Sequence, residues 1–237
     1  HTIVIGGGCL GASAAISLQR KLNKLGKGDK VCLVEKAVLC AAESSRHSGI
    51  VRSANADPDA SIMASMSSKM WKNLSSVWGL DMEIDEFGAI WIAKKNADGE
   101  NPAWSDLSDR MKKIQLVFEE IDTSSATQKC GETLLTDENE SYFYEPAAFQ
   151  LDPSILRSTL YDAIDENGVV LMEKTEVDTI LTKGKEIIGI TTNNGKLDAK
   201  NFVNATGAWS SQLFSKIGLK IPVTIEPVSV VNWMESP

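Results

Sequence analysis

A chain of 237 residues can form two folded units, and its 43% apolar and 24% charged residues are typical of a globular protein. With 32 acidic against 24 basic residues and a net charge of -8, it lacks the basic surface that nucleic acid requires, so we expect no nucleic-acid partner. The apolar runs are shorter than the roughly 20 residues of a membrane-spanning helix, so we predict no membrane span and an intracellular protein, cytoplasmic or in an organellar matrix.

The first elements along the chain form a predicted βαβ unit. Residues 2–5, TIVI, are a short β-branched apolar run, which is typical of a strand buried on both faces. Apolar residues at helical spacing predict a helix from Ala12 to about Leu25, and VCLVEK at 31–36 predicts a second buried strand. A strand, a helix and a strand in this order predict a right-handed crossover between parallel strands.

Three glycines, Gly6, Gly8 and Gly11, form a G-x-G-x-x-G pattern between the first strand and the helix. In that context the pattern is typical of a turn that brings the backbone against a pyrophosphate, whose charge the helix N-terminus stabilises. Glu35 ends the next strand, where a carboxylate accepts hydrogen bonds from ribose hydroxyls. The same carboxylate would repel a 2′-phosphate, which argues against NADP and leaves NAD and FAD open.

The middle of the chain combines a long polar loop with helices. Residues 37–59 are rich in small and polar side chains and predict a loop with a short helix, and a helix is predicted from about Pro58 to Val77. Two apolar runs around Gly88 predict a hairpin, and the spacing of apolar residues predicts a further helix over 106–121.

The last third of the chain is predicted to return to strands after one more helix. That helix follows Asp152, which precedes a proline, and it ends before Gly168. Short apolar runs begin at Val169 and are joined by turns, including the hairpin signal NNG at 193–195. The final run, NFVNATGAW at 201–209, resembles the first strand in ending on a glycine followed by a helix.

The side chains that bind metals are too few and too scattered for a metal site. The chain has 4 cysteines and 2 histidines, with no C-x-x-C pair and no histidine at ligand spacing. Cys9 and Cys32 fall in the glycine turn and in a strand, where small buried thiols are expected. The sequence leaves the roles of Cys40 and Cys130 undecided.

Four stretches together resemble the FAD-dependent D-amino acid oxidase superfamily, and within it the sarcosine oxidase and dimethylglycine dehydrogenase-like enzymes. They are IVIGGGCLGASAA with VCLVEK, SSRHSGIVRSAN, DPSILRSTLYDAIDENGVVLMEKTEV and IIGITTNNGKLDAKNFVNATGAWSSQL. The last is the most specific, because simple nicotinamide-dependent Rossmann domains lack a hairpin followed by a strand that ends in N-A-x-G-A-W. The resemblance covers nearly the whole chain and implies FAD as the cofactor.

The resemblance implies an α/β fold: a Rossmann-like FAD/NAD(P)-binding domain with a β-meander, plus an incomplete α+β substrate domain. The FAD-binding domain is expected to be discontinuous, over 1–77 and 151–221. The substrate domain is expected over 78–150 and 222–237 and is expected to continue beyond the end of this chain. Because an incomplete sheet exposes strand edges, we expect a further chain or segment to complete it.

Cofactor-binding residues also follow from the resemblance. The glycines of the turn would hold the pyrophosphate, and the glutamate after the second strand, with its neighbour, would face the adenosine ribose. The next loop would pass the pyrophosphate and approach the flavin, one backbone position would meet the adenine, and a later stretch would close over the cofactor. The glycines of the turn are Gly6, Gly8 and Gly11, and the glutamate and its neighbour are Glu35 and Lys36. The loop near the pyrophosphate and flavin contains Ser44, Ser45 and Arg46, and the backbone position at the adenine is Val177. The stretch that would close over the cofactor contains Ala205, Gly207 and Trp209.

Two further residues are candidates for catalysis. Arg52, in GIVR, resembles a family arginine that pairs with the substrate carboxylate, and a planar guanidinium suits such a bidentate contact. An ordinary surface or ion-pairing arginine is the alternative. His47 lies in the loop where some relatives attach FAD covalently, but their histidines align next to it. A histidine that orders the loop backbone or touches the flavin is therefore the alternative for His47.

The function implied by the resemblance is oxidation of a secondary or N-methylated amino acid, such as sarcosine, dimethylglycine or proline, by hydride transfer to flavin N5. Because HSGIV also resembles a loop of L-2-hydroxyglutarate dehydrogenases, a 2-hydroxy acid substrate is an alternative. A third hypothesis is a noncatalytic fragment or subunit that binds FAD or another nucleotide. The sequence leaves the exact substrate, the electron acceptor and the oligomeric state open.

Overall fold

The computed structural model describes residues 1–55, 57–80, 82, 84–130 and 134–226. It contains two compact units, one that combines His1–Ser48 with the chain from Pro153 onward and one that spans Gly49–Asp152. The domain boundaries expected from the sequence, at 77/78, 150/151 and 221/222, stay a prediction. Most of the expected segment 222–237, from residue 227 on, lies outside the described residues.

Strands and short helices follow one another along the described chain. The strands are β1 (Thr2–Ile5), β2 (Val31–Val34), β3 (Ile50–Val51), β4 (Ala89–Lys94), β5 (Glu119–Ile121), β6 (Glu140–Glu145), β7 (Phe149–Gln150), β8 (Val170–Met172), β9 (Val177–Lys183), β10 (Glu186–Thr192), β11 (Gly195–Asp198) and β12 (Asn201–Asn204). The helices are α1 (Cys9–Lys24), α2 (Pro58–Lys72), α3 (Leu74–Trp78), α4 (Pro102–Lys113), α5 (Thr123–Cys130), α6 (Pro153–Asn167) and α7 (Ser210–Ser215). Single 3₁₀ turns cover Glu43–Ser45 and Gly207–Trp209.

The first unit is built on a parallel sheet with the strand order β12-β1-β2-β8. Its central strands are short, largely buried runs that are rich in β-branched residues, as expected for a sheet that is covered on both faces. Helix α1 packs against β1 and β2 on one face and against α6. On the face that carries Ile3, Ile5 and Val34, the sheet packs against the antiparallel meander β9-β10-β11 and against α7. The sheet is therefore the middle layer of three.

This architecture confirms the predicted α/β class with a Rossmann-like sheet and a β-meander. The strand, helix and strand of the first βαβ unit form close to their predicted bounds, as does the helix after Asp152. The predicted NNG turn joins β10 to β11. Local patterns sufficed for these elements because each has a clear period and a turn or cap residue at its end.

The second unit contains the antiparallel sheet β4-β6-β5 and the short pair β3-β7. Aromatic rings form much of its core: Phe118 and Phe143 stack with ring centroids 5.5 Å apart, and Trp104 stacks on both. Helix α4 packs on this core through Leu107 and Met111, which lie on one helical face as the sequence predicted. Stacked rings bury large apolar surfaces, so this cluster contributes to the stability of the unit.

Three predictions for the second unit need correction. The hairpin predicted around Gly88 does not form, because β4 pairs with β6 and Asp85 bridges to Gln150 instead. Of the range 106–121, which was predicted to be one helix, only the part up to Lys113 is helical and belongs to α4. The last residues of the range form β5 instead, which pairs with β6. The helix predicted over 58–77 is divided between α2 and α3. In the first two cases pairing with a distant strand decides the structure.

In the part of the chain that the structure describes, no helix is both long enough and apolar enough to cross a membrane. The same residues contain no group of three or more histidine, cysteine, aspartate or glutamate side chains that could hold a metal ion. Burial raises the thiol pKa of Cys9 and Cys32, and that of Cys40 to about 11. These three thiols therefore stay protonated at neutral pH and act as small packing groups.

Candidate cofactor-binding site

The glycine turn between β1 and α1 is so closely packed that it leaves no room for side chains. Gly6 has a φ of +106°, and a Cβ at this position would lie 2.3 Å from the carbonyl oxygen of Ala205. A Cβ on Gly11 would lie 1.9 Å from the carbonyl oxygen of Gly6. Both distances are far below a van der Waals contact, so the close packing of β1, α1 and the end of β12 requires glycine at both positions.

Helix α1 begins directly after this turn, with Gly8 as its N-cap residue. The first turn of the helix contains no acidic residue, so no side chain there opposes the positive end of the helix dipole. The backbone N–H of Cys9 donates to Oγ of Ser44 over 2.9 Å, which ties the loop after β2 to the start of the helix. A helix N-terminus of this kind suits a phosphate group.

Glu35 links the glycine turn to the end of β2. One carboxylate oxygen accepts a hydrogen bond from the N–H of Gly7 over 2.7 Å, and the other accepts one from the N–H of Ala37 over 2.8 Å. A carboxylate has about four acceptor positions, so these two bonds leave capacity for hydroxyl groups. The residue therefore holds the turn in place and can also accept hydrogen bonds from a ligand.

The loop after β2 contains the other predicted contacts to the pyrophosphate and the flavin. Ser44 bonds the helix start, as described above, and its carbonyl oxygen lies 3.1 Å from Nε2 of His47. Ser45 donates from Oγ to the carbonyl oxygen of Ala42 over 3.2 Å, and Arg46 is exposed. Of this group, Ser44 is thus the residue whose side chain contacts the start of α1.

The stretch after β12 lies beside the turn because β12 pairs with β1. The N–H of Ala205 donates to the carbonyl oxygen of Ile5 over 2.9 Å, and Gly207 begins the 3₁₀ turn that ends at Trp209. Nζ of Lys36 lies 3.6 Å from the centroid of the Trp209 ring, which is a cation–π contact. This contact connects the segment after β2 to the segment after β12.

One acidic residue of this region, Glu173, was missed by the sequence analysis. It follows β8, and its Oε1 accepts hydrogen bonds from the N–H of Leu39 over 2.6 Å and from the hydroxyl of Tyr161. Burial, followed by the hydrogen bond to Glu173, raises the pKa of Tyr161. Its position directly after a strand of the parallel sheet, like that of Glu35 after β2, is a signal that could have identified it. Val177 begins β9 a few residues later.

Arg52 belongs to the second unit, where it follows β3. Its guanidinium carbon lies 4.4 Å from the centroid of the Trp91 ring, and its Nη1 donates to the carbonyl oxygen of Ala54 over 2.9 Å. The side chain is exposed, and none of the ion pairs within the described ranges includes it. An exposed, charged and planar guanidinium without an ion-pair partner within these ranges is able to bind an anion.

A family model for FAD dependent oxidoreductases (DAO) matches residues 1–235. The chain belongs to this family. FAD is the cofactor of the DAO family, and the residues of the first unit fit it. Side chains are excluded at the glycine turn, the start of α1 is free of acid, and Glu35 has acceptor capacity left. These are the features that a pyrophosphate and a ribose require.

Two curated relatives of this DAO-family chain match most of its length. It is 24% identical to the mitochondrial pyruvate dehydrogenase phosphatase regulatory subunit of Mus musculus, over 90% of this chain and 23% of that protein. It is 23% identical to 4-methylaminobutanoate oxidase (formaldehyde-forming) of Paenarthrobacter nicotinovorans, over 94% of this chain and 26% of that protein. The chain therefore spans about a quarter of the length of each relative.

Among solved structures, L-proline dehydrogenase from P. horikoshii is similar to the DAO-family chain with a TM-score of 0.79 and 24% identity. The match covers 96% of this chain and 58% of that one. At this level of identity the similarity supports the fold.

Replacing Glu35 with alanine is expected to raise the Kd for FAD about 10- to 100-fold, because hydrogen bonds to a charged group contribute roughly 1.5–3 kcal/mol. The expected loss has two sources: the predicted acceptor for ribose hydroxyls disappears, and the N–H of Gly7 loses its partner. Titration of the purified apoprotein with FAD, followed by flavin fluorescence, measures the change.

The matched control for this prediction is Glu166→Ala, which removes an exposed carboxylate from α6 of the same unit. It is expected to bind FAD like the unaltered protein. If Glu35→Ala also bound FAD with unchanged Kd, the ribose role of Glu35 would be rejected.

Proposed function

We propose that this chain is part of a FAD-dependent enzyme that oxidises a secondary or N-methylated amino acid. The observation that carries the substrate class is Arg52, whose exposed guanidinium lies over Trp91 and takes part in no ion pair within the described ranges. Arginine binds carboxylates through two parallel hydrogen bonds, so an amino acid is a suitable ligand. The name of one relative, 4-methylaminobutanoate oxidase, supports an N-methylated substrate.

The residues of the first unit would hold the cofactor. The glycine turn and the start of α1 would bind the pyrophosphate through backbone N–H groups, and Glu35 would accept hydrogen bonds from the ribose. Arg52 would bind the substrate carboxylate and so restrict the orientation of the carbon, bonded to the amine nitrogen, that loses a hydrogen. FAD, when bound, would supply the acceptor for the hydride equivalent, at flavin N5, and the substrate would leave as an imine that water hydrolyses.

Two alternatives predict different results for the same protein. A 2-hydroxy acid also carries a carboxylate that Arg52 could bind, so the arginine does not separate it from an amino acid. A noncatalytic FAD-binding subunit is supported by the similarity to a protein named as a regulatory subunit. The substrate therefore has to be identified by reduction of the bound flavin.

An absorption spectrum of the purified protein, followed by anaerobic addition of substrates, tests the proposal. We expect flavin bands in the visible spectrum and their bleaching by sarcosine or proline. Bleaching by 2-hydroxyglutarate alone would instead identify a hydroxy acid dehydrogenase. Flavin bands that none of these compounds bleaches would favour the noncatalytic subunit, and a folded protein that binds no flavin would contradict all three hypotheses.

His47 is proposed to order the loop after β2 rather than to bind FAD covalently, which its contact with the carbonyl oxygen of Ser44 supports. Acid precipitation of the same sample tests this. Yellow colour in the supernatant is expected, and colour that stays with the protein pellet would show covalent attachment.

We further propose that another chain or segment completes the substrate domain, since the chain spans only about a quarter of each curated relative described above. An intracellular location, in the cytoplasm or an organellar matrix, is proposed as well. The free thiols of Cys9, Cys32 and Cys40 support it, because such compartments keep thiols reduced.

A further inference from the structure

Glu145, at the end of β6, is a buried carboxylate to which the proposed mechanism gives no part. Its side chain is 1% exposed, and three N–H groups point at it. Oε1 accepts from the N–H of Ser53 over 2.5 Å and from the N–H of Ala54 over 3.2 Å. Oε2 accepts from Nε1 of Trp91 over 3.2 Å. All four residues belong to the second unit.

The register of the sheet brings Glu145 and Trp91 together. In the antiparallel pair β4-β6, Ala89 lies opposite Glu145 and Trp91 lies opposite Phe143. Trp91 and Glu145 are therefore diagonal neighbours on the same face of the sheet. At that spacing a long side chain such as glutamate can contact an aromatic one. The contact between the indole N–H and the carboxylate thus follows from the pairing of the two strands.

Both contacts that fix the guanidinium of Arg52 involve groups bonded to Glu145. The guanidinium lies over the Trp91 ring, whose N–H donates to Oε2. Its Nη1 donates to the carbonyl oxygen of Ala54, whose own N–H donates to Oε1. Ser53, the residue directly after Arg52, donates to Oε1 as well. The carboxylate therefore fixes the backbone beside the arginine and the ring beneath its side chain.

We propose that Glu145 is a positioning residue that sets the orientation in which Arg52 binds the substrate carboxylate. This inference rests on the proposed function of Arg52. A carboxylate suits the position because it only accepts hydrogen bonds and has enough acceptor positions for three converging donors. Because the indole N–H donates to this negatively charged group, the Trp91 ring is polarised and attracts the guanidinium of Arg52 more strongly.

A glutamine at position 145 separates this role from simple space filling. Glu145→Gln keeps the size and shape of the side chain, but its amide group has a single acceptor oxygen and would direct an NH₂ group at another donor. Either the indole of Trp91 or the backbone of residues 53–54 then loses its acceptor and must turn away from residue 145. The Arg52 guanidinium, which contacts both groups, moves as a result. The matched control is Glu120→Gln, which removes the same charge from an exposed position on the neighbouring strand β5.

Steady-state kinetics of the flavin-loaded protein give the first readout. For Glu145→Gln we expect KM for an N-methylated amino acid to rise about 10-fold with kcat changed less than about twofold, the pattern of a lost binding interaction. KM for the matching N-methylamine without a carboxylate is expected to stay unchanged, as are both constants in Glu120→Gln. An unchanged KM for the amino acid in Glu145→Gln would overturn the proposal, provided that Arg52→Met raises it.

Nuclear magnetic resonance gives a second readout that needs no turnover. The Arg52 side-chain protons lie over the Trp91 ring and are expected to be shifted by its ring current, and this shift is expected to shrink in Glu145→Gln. If Arg52→Met leaves KM unchanged, the proposed function of Arg52 fails, and the role of Glu145 in substrate binding fails with it. The shift then decides only whether Glu145 orients the Arg52 side chain: a lost shift shows that it does, and a retained shift shows that Glu145 has no positioning role at all.

Should Glu145→Gln fail to fold, Trp91→Phe provides the alternative. It keeps an aromatic ring but removes the donor to Oε2, and we expect a smaller rise of KM that is again confined to substrates with a carboxylate. An equal rise for the amine without a carboxylate would show general damage to the unit and would overturn the proposal.

Discussion

Replacing Gly11 with alanine is expected to abolish FAD retention, with a rise in Kd of at least about 100-fold. The added Cβ would lie 1.9 Å from the carbonyl oxygen of Gly6, a backbone atom that cannot move aside as a flexible side chain would. The start of α1 must therefore shift away from β1, and the N–H groups of the turn lose their common direction. The ratio of flavin absorbance to protein absorbance after gel filtration measures the loss.

Gly28→Ala is the matched control, because a Cβ at Gly28 meets no atom within 4 Å. This variant is expected to retain flavin fully. Circular dichroism distinguishes loss of the turn from loss of the fold, since a folded Gly11→Ala protein without flavin is the expected result. A folded Gly11→Ala protein that holds FAD at the original ratio would refute the role of the turn.

Replacing Arg52 with methionine is expected to raise KM for a carboxylate substrate about 10- to 100-fold, because a charge-assisted contact contributes roughly 1.5–3 kcal/mol. Methionine keeps much of the length and the apolar part of the side chain, so its contact with Trp91 is partly preserved. FAD content is expected to stay the same, since the predicted cofactor-binding residues belong to the first unit.

Two variants accompany this measurement. Arg52→Lys keeps the charge but loses the planar fork, so its KM is expected to lie between those of the original protein and Arg52→Met. Lys113→Met removes an exposed charge at the end of α4 and is expected to change nothing. Equal KM values in the original protein and in Arg52→Met would reject the arginine as the carboxylate-binding group.

Local sequence patterns were sufficient for the first unit and not for the second. The run TIVI, the glycine turn and the helix after it are specified within a few residues of each other, so β1 and α1 could be predicted. The chain around Gly88 also shows apolar runs on both sides of a glycine. Its strand β4 pairs with β6, far along the chain, and no local period reveals that partner.

The candidate site divides in the same way. Gly6, Gly11 and Glu35 could be found from spacing alone, because a turn and the end of the next strand are short-range features. Glu145 could not, because its importance arises from three donors that only the folded sheet brings together. In the sequence it is one acid among several near the end of an aromatic strand.

The pairing of β1 with β12 has a consequence for how the protein is made. Thr2 lies opposite Asn201, a partner that the ribosome adds 199 residues later. The nascent chain therefore cannot complete the pairing of β1 with β12 until residues 201–204 have been synthesised, and we expect slow folding that is limited by the search for this distant contact. Supplying FAD during translation should favour the late, closed form by mass action.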